Sequence, residues 1–518
     1  MESAWIYLLG DIVRMLEQNI GRSILQNPKD LNMADIFAIL YLYCEQNFPQ
    51  IHDRLRKVDT FKQHEQRSIQ FDTKILPTPI NALKPLDQNN RQLIVNTLYS
   101  NSNQDDFMLD CYALLLAIDN AYSHVRARTS NISNFSSITQ RLNMDIGLGH
   151  IYPKPANPIY EMIQKRVHNS SDQKAELRPR IIRTGKESGA RLRDHIENFV
   201  FVRVEEGLNL DFNRLESSLW LAMPQNAEEY KIALVPLIVD MGEFIIEYSV
   251  SVEGKRLFRF TGVKNPDKLS SMMISLIEKL DEKGVGIIIF PELCVPDEVR
   301  NAIANDLKSR HLSNVKLLVV GSFHSSFNGE NFNISRTMSC EGNELWQQRK
   351  MHPYTLMSYE LEGSAASSEL GKYNLNEDIA ISPRILVVRD TPLGRMTILI
   401  CSDLVRTDPH GKLLQDLYVN CYIVPAMTGK LEGEFINNAK QYAYYAGAAT
   451  LVSNNCGTVR PVVKSNRKTR RISFAFLPGY PQVWWLQCSH PSSQCSNQNC
   501  LDSCIVDFGI WPEGFNEI

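Results

Sequence analysis

Apolar residues at Trp5, Leu8, Leu9, Ile12, Val13 and Leu16 recur with the i, i+3, i+4, i+7 spacing of an amphipathic helix, with Asp11 and Arg14 on its polar face. A second helix is predicted from Met33 to Phe48: Asn32 can cap its start, Pro49 marks its end, and apolar residues on nearly all sides imply burial. A third runs from Asp105 to about Arg126, with Phe107, Cys111, Leu114, Ile118, Tyr122 and Val125 on one stripe. Acidic residues open it and arginines close it, as the helix dipole favours. Pro77, Pro79 and Pro85 break the periodicity in between, so that stretch reads as a loop and residues 1–128 as an all-helical bundle.

From Thr129 to residue 229 apolar clusters are short, and Ser, Asn, Pro and Lys/Arg dominate as far as Gly189, which describes a connector or loosely packed segment. After Tyr230 the texture changes to β-rich runs, Ile232–Val235, Gly286–Phe290 and Leu317–Val320, separated by helical patterns. Residues 230–518 therefore read as an α/β domain.

A chain of 518 residues exceeds what one core usually organises, which agrees with this division. Its 43% hydrophobic and 22% charged residues are those of an ordinary globular protein, and a net charge of −3 gives no global bias toward nucleic acid or membrane. Eleven cysteines without a compact disulfide module fit a reducing compartment, and no run approaches the ~20 apolar residues of a membrane span. A cytoplasmic protein is the expectation.

Two strands end in chemistry. Gly286–Phe290 delivers Pro291-Glu292, a carboxylate at the C-terminal edge of a buried strand, where α/β folds place reactive groups. Met396–Ile400 delivers Cys401, then Ser402 and Asp403, and between the two the polar run from Glu341 ends in Arg349-Lys350-Met351-His352. A carboxylate can take a thiol proton and return it to a leaving amine, while an ammonium stabilises the anionic intermediate. Singly, each is more often a solvent-facing carboxylate, a surface lysine or a small buried thiol.

Together, and in this order, Phe290-Pro291-Glu292, Arg349-Lys350-Met351-His352 and Gly394-Arg395 through Ile400-Cys401-Ser402-Asp403 resemble the nitrilase, or carbon–nitrogen hydrolase, superfamily. Val424-Pro425-Ala426, the helical stretch from Asn437 to Ala448 and Val452 to Gly457 extend the resemblance, which covers residues 230–457. It implies an α/β protein whose C-terminal part is a four-layer α-β-β-α sandwich, often dimeric, with Glu292 as base, Lys350 as electrostatic partner and Cys401 as nucleophile. No cofactor or metal is implied. A second glutamate beyond the lysine is implied too; Glu360 is the candidate, with Glu362 as the alternative. Ser402 and Asp403 are expected to contact substrate, and Cys-Ser-Asp in place of Cys-Trp-Glu resembles the amidase and carbamoylase branches. The implied reaction is hydrolysis of a non-peptide amide or ureido bond in a small molecule through a thioester, with acyl transfer as its relative.

Other features take bland readings first. Lys464, Arg467, Lys468, Arg470 and Arg471 stand where the family has a small-residue strand pair; they read as a solvated turn rather than a phosphate or nucleic-acid site. The arginines between Arg178 and Arg193 are mixed with acids and read as connector surface. Cys488, His490, Cys495, Cys500 and Cys504 offer zinc donors, but paired Cys-x-x-Cys knuckles are absent, and reduced cysteines are the plainer account. His352 reads as a hydrogen-bonding neighbour of the lysine. The helical extension raises an alternative to turnover, a ligand-sensing module with a protein partner on the N-terminal helices.

Overall fold

The computed structural model describes residues 33–55, 88–99, 104–121, 150–169, 191–237, 241–357, 374–456, 470–479, 483–488 and 504–509. The chain divides into two units, Met1–Lys154 with Ile182–Val204, and Pro155–Ile181 with Glu205–Ile518. The helix expected at residues 5–16 and the proline-rich loop lie outside the described residues.

In the first unit, helix Met33–Leu55 packs on helix Gln104–Ala121, which also meets helix Gln88–Tyr99. Their apolar faces, including Ile39, Leu40, Tyr43, Leu114 and Ile118, form one buried cluster. The first of these helices does not stop at Pro49 as expected but continues to Leu55. A helical proline loses one hydrogen bond and crowds the preceding turn, at about 3 kcal/mol; Phe48 and Ile51, both buried beside it, offset that cost. Buried Asp119 accepts hydrogen bonds from the Glu197, Asn198 and Phe199 amides and so fixes the start of strand Phe199–Val202, which pairs antiparallel with His150–Pro153.

The second unit contains mixed α/β structure with three sheets. One has six strands in the order Glu344–Arg349, Glu330–Ser339, Leu317–Phe327, Ile287–Ile289, Lys231–Leu234, Ile505–Asp507. Another has seven, Trp484–Cys488, Arg470–Phe476, Ala449–Asn454, Cys421–Ala426, Gly394–Ile398, Arg384–Thr391 and Leu208–Arg214. In both, the central parallel strands Ile287–Ile289, Cys421–Ala426 and Ala449–Asn454 have every residue buried, the signature of strands covered on both faces. The side chain of Gln348 links these sheets, donating to the Ile385 carbonyl at 2.8 Å and accepting from the Val387 amide at 2.8 Å. Helix Asp297–Ser309 lies against the first sheet and helix Glu434–Ala446 against the second, each through an amphipathic face.

The third sheet joins hairpin Phe244–Val250/Arg256–Val263 to Leu375–Glu377 and Thr355–Leu356. Within residues 129–229 the described elements belong to both units. His150–Pro153 and Phe199–Val202 belong to the first unit, and Leu208–Arg214 is an edge strand parallel to Arg384–Thr391. Such short elements sit in a polar stretch and acquire their order from partners far along the chain.

Candidate active site

Strand Ile287–Ile289 runs parallel between Lys231–Leu234 and Leu317–Phe327, and the chain then turns through Pro291 to bring Glu292 inward, 2% exposed. The turn depends on Gly321. Its φ is +63°, and a Cβ there would stand 2.0 Å from the Pro291 carbonyl oxygen, so only glycine lets the bulged neighbouring strand come this close.

Gly394–Ile398 delivers Cys401, whose amide donates to the Pro425 carbonyl at 2.9 Å. Cys401 has φ 48° and ψ −102° and is followed at once by the short helix Ser402–Val405. A left-handed non-glycine residue costs about 1–3 kcal/mol and persists only where its surroundings impose it. Here the strand-to-helix reversal brings the thiol within the electrostatic reach of Glu292, Lys350 and the Met427 amide.

Lys350 follows strand Glu344–Arg349, its amide bonded to the Asn333 carbonyl at 2.8 Å. Its ammonium donates to Glu292 Oε1 at 2.8 Å and to Glu377 Oε2 at 2.7 Å, with all three side chains at most 2% exposed. Asn333 Nδ2 bridges the same carboxylates, at 3.0 Å to Glu292 and 2.8 Å to Glu377, while its Oδ1 is buried without a partner. Glu377 also accepts from the Tyr354 amide at 2.8 Å and His324 Nε2 at 3.0 Å.

The two carboxyl groups are pushed apart. Burial, with the Glu377 charge, raises Glu292 above the ordinary carboxylate range despite Lys350. Burial also acts on Glu377, but Lys350 and the His324 hydrogen bond overcome it and hold that group well below the range. Burial opposes the Lys350 charge, and the two carboxylates outweigh it, so the amine is raised and stays an ammonium. The Cys401 thiol is raised by burial and then by Glu292, against the pull of Lys350 and the Met427 amide. The resting set is therefore a thiol, a permanent ammonium, a permanent carboxylate and one carboxyl group able to exchange a proton. Environments that separate paired carboxyl groups in this way define acid–base roles.

Glu292, Lys350 and Cys401 thus meet, as the residue order suggested. The side chains of Ser402 and Asp403, expected to contact substrate, are hydrogen-bonded within the fold. Both oxygens of fully buried Asp403 are engaged by the Met351 and His352 amides, at 2.9–3.2 Å, and one also by His352 Nδ1 at 2.9 Å. Ser402 Oγ donates to the His352 carbonyl at 3.0 Å. Together they clamp the turn that carries Lys350, because the helix after Cys401 points their side chains toward residues 351–352. Glu360 and Glu362 lie outside the described residues; the second glutamate on the lysine is Glu377, 27 positions beyond it. Asn333 and His324 were also missed: each is one polar residue in an otherwise ordinary strand, without a local signal.

Among the described residues no group of three or more His, Cys, Asp or Glu is arranged to hold a metal ion. Cys504 is buried and Cys488 ends a strand, while His490, Cys495 and Cys500 lie outside the described residues. Arg471 stacks over Trp485 at 4.9 Å and pairs with Glu432 at 3.4 Å, so the described end of the basic segment is engaged within the fold. Among the described residues no helix is long and apolar enough to cross a membrane.

A buried carboxylate pair, an ammonium and a thiol at strand ends of an α/β unit define the class of site. Of known proteins, no family model matches the chain and no curated protein matches it. Among solved structures it is similar to an amidase from Nesterenkonia sp., at 13% identity and TM-score 0.32, over 49% of this chain and 85% of that one. A cysteine-to-serine mutant of the Nesterenkonia AN1 amidase, from the nitrilase superfamily, gives 13% identity and TM-score 0.32 over 52% and 94%. A glutamate mutant of that amidase, carrying the acetamide moiety of fluoroacetamide on its active-site cysteine, gives 12%, 0.31, 48% and 83%. Scores this low add no weight to a functional reading, which rests on the geometry above.

Proposed function

We propose that the second unit is a thiol-dependent carbon–nitrogen hydrolase of the amidase type, acting on a non-peptide amide or ureido group through a covalent thioester. The observation that supports this most is the Lys350 ammonium held by Glu292 and Glu377 at 2.8 and 2.7 Å, with the Cys401 thiol within the electrostatic reach of both Glu292 and Lys350. On this reading the two large sheets and their flanking helices form the α-β-β-α sandwich of the nitrilase superfamily.

Glu292 takes the thiol proton as Cys401 sulfur attacks the acyl carbon, because a thiol raised by burial needs a base at the moment of attack. The carbonyl oxygen becomes an anion beside Lys350, whose ammonium has three protons, two of them engaged by the carboxylates. Glu292 passes its proton to the leaving nitrogen, the C–N bond breaks and a thioester remains. A water molecule then gives Glu292 a proton and attacks the thioester; the C–S bond breaks and the sulfur recovers that proton. Glu377 keeps its charge throughout and holds the ammonium in place.

The test is intact-mass spectrometry of wild type and C401A after incubation with chloroacetamide and a panel of simple amides and carbamoyl compounds. A covalent adduct on wild type alone, with ammonia or amine released from at least one panel member, is expected. Equal labelling of both proteins rejects Cys401 as the nucleophile.

A further inference from the structure

His324 sits on strand Leu317–Phe327 with its side chain fully buried, between the hairpin and the lysine site. Its tautomer follows from its neighbours. The Phe260 amide can only donate, and it lies 2.8 Å from Nδ1, so Nδ1 is the bare acceptor. The ring proton is therefore on Nε2, which donates to Glu377 Oε1 at 3.0 Å. Glu377 Oε2 then faces Lys350 at 2.7 Å. One continuous chain of hydrogen bonds thus runs from the backbone of strand Arg256–Val263, through an imidazole and a carboxylate, to the ammonium.

The same hairpin holds Glu377 a second way. Arg256–Val263 pairs in parallel with Leu375–Glu377, setting Phe258 opposite Glu377 itself. Glu377 is faced by Lys350, His324 and the Tyr354 amide, and by Glu292 across the shared Asn333 amide. Of these neighbours only His324 has its orientation and tautomer set by the hairpin.

We infer that His324 is a positioning residue, and that the hairpin Phe244–Val263, by fixing its tautomer, is a working part of the lysine site rather than a surface decoration. The inference rests on the hydrolase reading above. Without the Nε2 donor Glu377 Oε1 keeps only the Asn333 amide, so the carboxylate, though still bound by the Tyr354 amide, holds Lys350 against Glu292 less firmly, and attack by the thiol slows. The donor toward Glu377 matters for the rate, whereas the acceptor toward Phe260 serves to orient the ring.

Two substitutions separate these halves of the imidazole. H324Q retains an amide donor at the reach of Nε2, whereas H324N puts its carboxamide oxygen at the position of Nδ1, facing the Phe260 amide, and its NH2 stops short of Glu377. A third, H324A, leaves a hole beside a cleft of about 410 Å3 lined by Arg259, Phe260, Pro296, Glu298 and His324 itself, through which added imidazole can enter. The measurement is the rate of alkylation of Cys401 by iodoacetamide, read at the Cys401 peptide by mass spectrometry, with thermal unfolding run on every variant.

H324N is expected to react about ten- to hundredfold more slowly, the worth of one hydrogen bond to a charged group. H324Q should stay within a few-fold of wild type, and imidazole should speed H324A without speeding wild type. H324N reacting like wild type, or H324Q and H324N slowed equally with no imidazole rescue of H324A, overturns the inference. Absence of Cys401 labelling in the wild type is a different outcome and sinks the hydrolase reading itself, and this inference with it.

Discussion

Replacing Lys350 by methionine keeps the length of the side chain and removes its charge, leaving Glu292 and Glu377 buried with no cation between them. Each loses a charge-assisted contact, of 2.8 and 2.7 Å, and the two share one amide as their remaining common donor. Breaking a buried ion pair from one side costs about 3–5 kcal/mol, because the surviving charge is left uncompensated. The pH dependence makes this specific. In the wild type the Glu377 carboxyl is depressed, so its contribution to stability is present above the unfolded value of about 4.3 and is lost as pH falls toward the folded one. In K350M burial and mutual repulsion raise both carboxyl groups, so stability is retained below about 4.3 and lost as pH rises through the folded values. The gap between wild type and K350M should therefore be smaller at about pH 4 than at about pH 8. Urea denaturation at several pH values, followed by fluorescence and circular dichroism, measures it. The double variant K350M/E377Q should regain part of the loss, since one of the two stranded charges is gone. A gap that is the same at both pH extremes, or absent at the higher one, would falsify the picture of two ionisable carboxyl groups facing a buried ammonium.

Further consequences follow from the same contacts. D403N removes one of the two oxygens that hold the Met351 and His352 amides, so a stability loss of about 1–3 kcal/mol and a lower Cys401 alkylation rate are expected; a variant matching wild type in both would return Asp403 to the substrate-facing role. G321A combines a left-handed φ, about 1–2 kcal/mol for a residue with a Cβ, with a clash on the Pro291 carbonyl. It should unfold at lower urea and lose Cys401 labelling, and normal behaviour by both measures would show that the Pro291 turn relaxes freely. Alkylation of Cys401 in the wild type should fall as pH drops through a value above the ordinary carboxylate range, because protonated Glu292 cannot accept the thiol proton; a midpoint at or below about 4.3 refutes the assignment of Glu292 as base.

What could be read along the chain, and what could not, divides according to how far each feature depends on distant partners. Glu292 and Cys401 were legible because each ends an apolar run, and an apolar run that stops at a polar residue marks both a buried strand and the edge where it emerges. Lys350 was legible from order alone. Direction was not: Ser402 and Asp403 follow a residue with φ 48°, and their side chains bond to the lysine turn, which no neighbouring residue type announces. Glu377 was harder still. Its strand is three residues long, it pairs with a hairpin more than a hundred positions earlier, and its only local context is Leu375-Asn376. Glu360 and Glu362, the candidates by spacing, lie outside the described residues, and Glu377 reaches the lysine through a pairing remote in the chain. The same cause explains Leu208–Arg214, half exposed and polar, whose strand character comes from lying parallel to Arg384–Thr391. Groups proposed to react were thus visible where the chain itself brings them to a strand end. Groups that hold those reactive side chains in place, Glu377, Asn333, His324 and Asp403, depend on contacts made only after folding, and these are where the predictions above press hardest.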